Sequence, residues 1–263
     1  MRILILTGLQ EELLPFLERR AFQFDRARGA YRSLQHPDLL AATTGPGVKK
    51  ARELRKLLRS FVPHVIVNAG LVGLLRETDE RQAGDRVRLG GVTDARTGVV
   101  YPGGPGRGQL VSVPAPVFEP SDKLDLATKY RASVCDMEAA VLLGMIGQVE
   151  EVATGSFVVF CKVVGDRPDS YNLYRYEHLV RGWQRRGRWQ KLWNGLRFPG
   201  GPGRLRELLA MKEQGLQGLA HSLDGLVASL LQLPEYPGID PDGDDSGGPI
   251  SELRGLDSVF IPH

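Results

Sequence analysis

The sequence predicts an α/β fold, and three observations support that class. Short β-rich runs alternate with amphipathic helical patterns through the first two thirds of the chain. The run SFVVFCKVVGD (156–166) is apolar on both faces, as expected for a central strand of a sheet that is covered on both sides. With 42% hydrophobic and 25% charged residues among 263, the composition is that of a globular protein with one large domain, or one domain with appendages.

The predicted elements follow from these patterns in chain order. Strands are predicted at 2–6, 39–44, 64–70, 85–92, 108–118 and 156–166. Helices are predicted for EELLPFLERR, for GVKKARELRKLLRSF, at the start of DMEAAVLL, and for SDKLDLATKY with Ser121 as its N-cap. The loop YPGGPGRG (101–108) neither follows a strong strand nor opens a helix, so a phosphate-binding role is a weak interpretation.

The character of the chain changes after residue 170. A basic, aromatic insert covers about 171–203 and ends in the breaker PGGPG, and two helical patterns over about 204–232 follow it. From 233 to 263 the tail is rich in proline, glycine and acidic residues, which predicts a disordered or extended segment. We therefore expect one domain over 1–232, closed by its last helices, and a tail.

Bulk properties exclude several classes of protein. A net charge of +3 is too small to argue for nucleic acid as a partner, and no apolar run approaches the roughly 18 residues of a membrane span. Met1 leads straight into an apolar strand without a basic leader. Cys135 and Cys161 match no metal spacing and lie in apolar contexts, which predicts reduced, buried thiols. The expected compartment is the cytoplasm, with no metal and no cofactor.

Carboxylates and glycine turns follow the predicted strands, at the edge where open α/β sheets bind ligands. Glu11 and Glu12 open the first helix, where the helix dipole alone would favour acidic residues. Asp166 follows the last strand in GDRPD, and capping a plain loop is an equally good explanation of it. Asp136 and Glu138 lie between apolar segments, where unpaired carboxylates are costly. The glycine turns TTGPG and VNAG contain Gly45, Gly47 and Gly70.

In combination these motifs resemble the nucleoside phosphorylase superfamily, and within it the nucleosidases that cleave methylthioadenosine and S-adenosylhomocysteine. MRILILTGLQEELLPFL is similar to that family's N-terminal strand and its glutamate-containing turn. TTGPGVKKA, VIVNAGLVG, GDRV, VCDMEAA and CKVVGDRPD resemble its later motifs in the same order, over about residues 1–170. The resemblance implies a three-layer α/β/α sandwich with a largely parallel or mixed central sheet.

The resemblance also implies a role for each matching residue. Glu12 would activate water, and Asp166 would protonate the purine. Met137 and Glu138 would hold the ribose, with Asp136 supporting Glu138 through hydrogen bonds. Val117 and Phe118 are weakly assigned to the base, and Gly45, Gly47 and Gly70 form the supporting turns.

The residue types suit cleavage of an N-glycosidic bond, which passes through an oxocarbenium-like sugar. A carboxylic acid makes the base a better leaving group, one carboxylate steadies the sugar, and another orients water. A phosphorylase would need phosphate ligands, and the turns TGLQEE, TTGPG and NAGLVG contain no arginine, although Lys49 and Lys50 lie close by. The sequence therefore predicts hydrolysis of a purine nucleoside of the adenine type, with phosphorolysis as the alternative.

The chain departs from the family pattern at three site positions. Leu71 replaces a hydroxyl residue, Lys162 the usual arginine, and Gly165 the usual polar residue before the catalytic aspartate. These changes leave open a different 5′-substituent and a catalytically degenerate, nucleoside-binding protein.

The insert is also compatible with other classes of function. Its tryptophans and arginines at 181–193 are compatible with peripheral contact to an acidic membrane or with single-stranded nucleic acid, although packing on the domain or across a dimer is the simpler interpretation. A nucleosidase acting on a lipid-linked adenosine, as in hopanoid synthesis, would reconcile both. We expect a homodimer with 171–196 at its interface or over the cleft, a small purine nucleoside as partner, and no nucleic acid.

Overall fold

The fold is that of the computed structural model, which describes residues 1–103, 106, 108–168, 201–233 and 258–259. In these residues one mixed sheet is covered by helices on both faces, so the predicted α/β sandwich with a mixed central sheet is confirmed. The strands are β1 (Ile3–Thr7), β2 (Phe22–Asp25), β3 (Ala30–Ser33), β4 (Leu39–Thr43), β5 (Val65–Leu74), β6 (Arg86–Val87), β7 (Leu89–Asp94), β8 (Val100–Pro102), β9 (Gly108–Ser112), β10 (Val134–Asp136), β11 (Phe157–Asp166) and β12 (Ser258–Val259). The helices are α1 (Gln10–Arg19), α2 (Ala51–Phe61), α3 (Pro120–Tyr130), α4 (Ala139–Ile146), α5 (Glu150–Ala153) and α6 (Gly201–Gln232), with a 3₁₀ turn at Pro46–Val48.

β5 is the strand around which the sheet is organised. It pairs in parallel with β1 on one side and with β11 along its length on the other. Its last residues pair antiparallel with β10, where Cys135 lies opposite Gly73. Since β1, β4, β5 and β11 are parallel, their carboxyl ends share one edge, and β10 runs back towards that edge from the opposite direction. Residues 2–6 and 157–164 thus belong to the same sheet, as predicted.

Two apolar layers hold the helices on the sheet. One face packs against α2, α4 and α5 through residues such as Leu54, Leu143 and Val152, all nearly inaccessible to solvent. The other face packs against α1 and α6 through residues such as Phe16 and Leu223. The apolar stripe seen in the sequence of the last helix is therefore the surface that closes this second layer.

The last helix differs from the prediction. Two helical patterns after a break at 199–203 were expected, but α6 is a single helix of 32 residues that begins within PGGPG. A proline in the first turn removes no intrahelical hydrogen bond, so Pro202 does not prevent the helix from starting there. No proline lies between 204 and 232, and glycines in a helix interior only weaken it.

The boundaries of other strands and helices also differ from the predicted ones. The strand predicted at 108–118 ends at Ser112, because Pro114 and Pro116 cannot donate to a sheet. α3 has Glu119 as its N-cap and Pro120 in its first turn, so the assignment of Ser121 as N-cap was wrong. The β2–β3 hairpin was not predicted at all.

Part of the predicted organisation lies outside the described residues. Residues 169–200 are not among them, and they include most of the predicted insert at about 171–203. The predicted membrane contact at 181–193 and the predicted dimer or cleft contact at 171–196 lie in this range and stay predictions. Of the predicted tail, Leu233 and the two residues of β12 are described, and β12 pairs antiparallel with β11. Cys135 and Cys161 are buried free thiols, as expected. Within the described ranges, no helix is both long and apolar enough to cross a membrane.

Two glycines of α6 have opposite surroundings and give a matched test of its packing. A methyl group added at Gly218 would lie 2.5 Å from the carbonyl oxygen of Gly84, whose φ is +94°, whereas one added at Gly225 would meet nothing within 4 Å. We expect Gly218→Ala to lower the free energy of unfolding by about 1–3 kcal/mol through overpacking. Gly225→Ala should raise it by roughly 0.5–1 kcal/mol, the usual gain in a helix interior. Denaturant unfolding of both variants measures the difference, and equal effects would contradict the close approach of α6 to the turn before β6.

Candidate active site

Glu12 is held at the sheet edge by two backbone amides. Its Oε2 accepts a hydrogen bond from the N–H of Leu9 at 2.8 Å, and its Oε1 accepts one from the N–H of Leu71 at 2.9 Å. The first bond caps α1, so helix capping explains one of the two hydrogen bonds of this glutamate. The second bond ties the carboxylate to β5 and Glu12 is buried, whereas the neighbouring Glu11 is only partly buried and pairs with Lys212 of α6. Glu12 is therefore the residue of the pair that belongs to the site.

Glu138 brings together the turns that follow β1 and β4. It is the N-cap of α4, and its Oε1 accepts a hydrogen bond from the N–H of Gly47 at 3.1 Å. Its Oε2 lies 3.3 Å from the N–H of Met137, which donates to it. A methyl group at Gly8 would lie 2.9 Å from Oε1, so that position must lack a side chain for Glu138 to occupy its place. The TTGPG turn thus contributes a backbone donor, and Gly45 within it has a φ of +74° that favours glycine.

Asp136 and Lys162 form a fully buried ion pair. Lys162 Nζ lies 2.8 Å from Asp136 Oδ2, and each side chain is about 1% exposed. Asp136 also accepts from Ser112 Oγ at 2.9 Å and from the N–H of Ala139 at 3.2 Å, which caps α4. Because none of these bonds goes to Glu138, the support of Glu138 by Asp136 stays a prediction. Gly70 lies beside the pair, since a methyl group there would come within 3.6 Å of Lys162 Nζ and 3.3 Å of Glu12 Oε1.

Burial dominates the electrostatics of this cluster. It raises the pKa of Glu12 to about 7, with a further contribution from Glu138, while the two backbone donors and Lys162 act in the opposite direction. Burial also raises the pKa of Glu138, and the neighbouring Asp136 adds to the effect. For Lys162, burial lowers the pKa, but the three surrounding carboxylates outweigh it and the pKa is raised. Lys162 stays an ammonium and neutralises the charges around it.

Asp166 lies at the end of β11, after a shift in register with β5 that places it opposite Gly73. A methyl group at Gly73 would lie 2.6 Å from Asp166 Oδ1, so only glycine accommodates this approach. The side chain is 29% exposed, and its Oδ2 accepts a hydrogen bond from Lys123 Nζ at 2.5 Å. The structure thus pairs this carboxyl group with an ammonium.

Cys135 connects Asp166 with the rest of the cluster. The pKa of its thiol is raised to about 12, first by burial and then by the nearby carboxylates of Asp166 and Asp136. The two aspartates therefore act on one thiol. Val117 and Met137, predicted for the base and the ribose, pack against the apolar cluster that contains Cys135, and Phe118 is half-buried next to Val117.

Two departures from the family pattern are coupled sterically. A methyl group at Gly165 would lie 2.8 Å from Leu71 Cβ, so the leucine occupies the space that a side chain at 165 would need. Gly215 of α6 closes the same space, because a methyl group there would meet Leu71 Cδ2 at 3.4 Å. Leu71 therefore packs closely against both Gly165 and Gly215.

Sequence reasoning missed Lys123 and Ser112. Lys123 looked like one of several lysines on a surface helix, yet it is 1% exposed. Its signal was its spacing: it lies four residues before Ala127, on the buried face of α3. Ser112 carried no such signal, because its role depends on a strand that pairs with β10 only in the fold.

Lys162 offers a test of the cluster. We expect Lys162→Met to lower the free energy of unfolding by about 3–5 kcal/mol at pH 8, because buried carboxylates lose their counter-charge. The loss should be smaller at pH 5, where Glu12, with its pKa near 7, is protonated. Lys50→Met is the control, since Lys50 is exposed and bonded to Thr43 Oγ1, and it should change stability by no more than about 0.5 kcal/mol. A pH-independent loss at Lys162 would contradict the electrostatic account.

Comparison with known proteins identifies solved structures that share this fold. No family model and no curated protein sequence matches the chain. Solved structures do: futalosine hydrolase of Helicobacter pylori strain 26695 matches with a TM-score of 0.60 and 15% identity, over 87% of this chain and 98% of that one. The H. pylori 5′-methylthioadenosine/S-adenosylhomocysteine nucleosidase in complex with an inhibitor matches with a TM-score of 0.59 and 14% identity, over 87% and 98%. The Arabidopsis thaliana 5′-methylthioadenosine nucleosidase matches with 0.58 and 14%, over 89% and 97%. The chain has the fold of the nucleoside phosphorylase superfamily, to which these nucleosidases belong.

Proposed function

We propose that this protein is a nucleosidase that hydrolyses the N-glycosidic bond of a purine nucleoside to the free base and the sugar. The observation that carries the proposal is the convergence of Glu12, Asp136, Glu138 and Lys162 at the shared edge of β1, β5, β10 and β11. Buried carboxylates with raised pKa values at the ends of strands are typical of a catalytic site. The nucleosidases with this fold support the same reaction class.

Each group has a place in the reaction. Asp166 gives a proton to N7 of the purine as the C1′–N9 bond breaks, and the bonding electron pair leaves with the base. Glu138 accepts hydrogen bonds from the ribose hydroxyls and stabilises the positive charge that develops on the sugar. Glu12 takes a proton from a water molecule whose oxygen bonds to C1′. Loss of the proton from Glu12 to solvent and reprotonation of Asp166 complete the cycle.

The identity of the base depends on the groups that face the C6 substituent of the purine. The resemblance implies an adenine-type base with Val117 and Phe118 beside it. Phosphorolysis is the second candidate reaction, since Lys50 lies next to the TTGPG turn. A homodimer, a lipid-linked adenosine substrate and a cytoplasmic location stay predictions.

A substrate panel tests the reaction class. Adenosine, inosine and uridine are incubated with the protein, each with and without phosphate, and free base and sugar products are quantified. We expect purine release without phosphate and a free sugar as the second product, with uridine left intact. Release that requires phosphate and yields a sugar 1-phosphate would make the protein a phosphorylase, and no release from any nucleoside would refute an enzymatic role.

Variants separate the proposed roles. Asp166→Asn and Glu12→Gln should each lower kcat by roughly 10²–10⁴-fold with little change in KM, because each removes one proton transfer. Glu138→Gln should lower kcat and raise KM, since its carboxylate contacts the ribose in both ground and transition states. Glu11→Gln is the matched control, one residue from Glu12 in the same helical turn, and should leave both constants unchanged. Full activity of Glu12→Gln would remove Glu12 from the mechanism.

The pH profile reports on Glu12. As a general base it must be ionised, and burial raises its pKa to about 7. We expect kcat to fall as the pH is lowered through 7 and to be about tenfold lower per unit below it. Circular dichroism at each pH shows whether the fold persists over the range. A flat profile between pH 5 and pH 8 in a folded protein would exclude Glu12 as the base.

A further inference from the structure

Lys123 is a buried ammonium that the proposed mechanism does not use. It lies in the first turns of α3, is 1% exposed, and donates to Asp166 Oδ2 at 2.5 Å and to the backbone oxygen of Arg167 at 3.4 Å. Burying a lysine is expensive, and the sequence of an amphipathic helix does not require one on its apolar face. Its position therefore calls for an explanation beyond the stability of α3.

Lys123 adjoins the part of the site assigned to the base. α3 begins at Pro120, two residues after Phe118, and the backbone N–H of Lys123 bonds to the N-cap residue Glu119. Val117 packs against the apolar cluster that contains Cys135. The Cys135 thiol experiences the charges of both Asp166 and Lys123. The ammonium and the proposed proton donor thus lie together at the edge of the surface predicted to hold the base.

An ammonium discriminates between the two classes of purine. It has three N–H donors and no acceptor, and two of the donors face Asp166 and Arg167. N7 and the C6 substituent of a purine are neighbours on one edge of the ring. In adenine this edge presents an acceptor and an amino donor, while in a 6-oxopurine it presents two acceptors. A donor beside the group that protonates N7 therefore matches a 6-oxo group and opposes a 6-amino group.

From this geometry we infer that Lys123 is a specificity-determining residue that selects 6-oxopurine nucleosides over adenine nucleosides. The inference rests on the proposed nucleosidase function and narrows its substrate class. A preference for 6-oxopurines differs from the adenine-type base that the sequence resemblance implies. None of the motifs that carry that resemblance includes residue 123. A site that donates a hydrogen bond to the correct base penalises the wrong one by leaving polar groups unpaired.

The test compares inosine with adenosine in the wild-type protein and in variants at position 123. Wild type should cleave inosine with a kcat/KM at least about 100-fold above that for adenosine. Lys123→Met should lower kcat/KM for inosine more than for adenosine and shrink this ratio by at least roughly tenfold. Lys123→Gln, whose amide can accept from a 6-amino group, should shrink it further, while Lys123→Arg should retain it. Lys129→Met, an exposed lysine on the same helix, is the matched control and should leave the ratio unchanged.

Binding of the free bases gives a second readout that does not need turnover. Calorimetry with hypoxanthine and adenine should show wild type binding hypoxanthine about tenfold or more tightly, and Lys123→Met losing that difference. Thermal unfolding of each variant identifies misfolding. Cleavage of adenosine at least as fast as inosine would overturn the role of Lys123 and leave the nucleosidase proposal intact. Absence of cleavage and of base binding in wild type would overturn both.

Discussion

A buried ammonium facing three carboxylates is the interaction on which the rest of the site depends. Lys162 forms a direct ion pair with Asp136, and its charge also acts on Glu138 and Glu12. Taking one such carboxylate out of water without a partner would cost several kcal/mol, and three would cost more than a domain of this size has in net stability. The positive charge of Lys162 allows several acidic groups to remain ionisable at a site that is buried from solvent. Asp136 has its remaining capacity filled by Ser112 and the start of α4, so it serves the structure, while the other two carboxylates keep capacity for a ligand.

Close backbone approach is the second constraint. Gly8 lies against Glu138, Gly70 against Glu12, and Gly73 against Asp166, at distances where a methyl group would meet an oxygen at 2.9, 3.3 and 2.6 Å respectively. Carboxylates that lie on backbone in this way lose hydration, which raises the pKa of Glu12 towards neutrality. The glycines therefore contribute to the burial of the carboxylates as well as to the geometry of the turns. Close packing continues at Leu71, which fills the space that a side chain at Gly165 would need.

Asp166 and Lys123 show how one residue outside the recurrent motifs changes a site. The carboxyl group of Asp166 lies at the end of β11, which is parallel to β5. Its partner comes from α3, a helix whose sequence resembles many others. In the proposed mechanism this pair joins the proton donor to a fixed hydrogen-bond donor, so the chemistry at the base would depend on both residues.

The sequence by itself determined the class of fold and most of the candidate site residues. Alternating strands and helices require an α/β sheet, and continuous apolar runs such as 156–166 require a covered one, so the order of elements was predictable. Glu12, Glu138 and Asp166 were assigned from the resemblance of their motifs, because helix capping or a plain loop could account for Glu12 and Asp166 taken alone. The hairpin β2–β3 and the continuity of α6 escaped prediction, because neither depends on a strong local pattern.

Only the tertiary structure decided which groups meet. The ion pair of Asp136 with Lys162 joins residues 26 positions apart in the sequence, and that of Lys123 with Asp166 joins residues 43 apart. Partners at such separations are set by strand pairing and helix packing, and no periodicity within a short segment records them. Glu12 was assigned from the resemblance of its motif, but its pKa is raised by burial against β5, where Leu71 lies 59 residues further along the chain. Residue type and local position are written in the sequence, whereas desolvation and charge pairing arise only when distant strands share an edge.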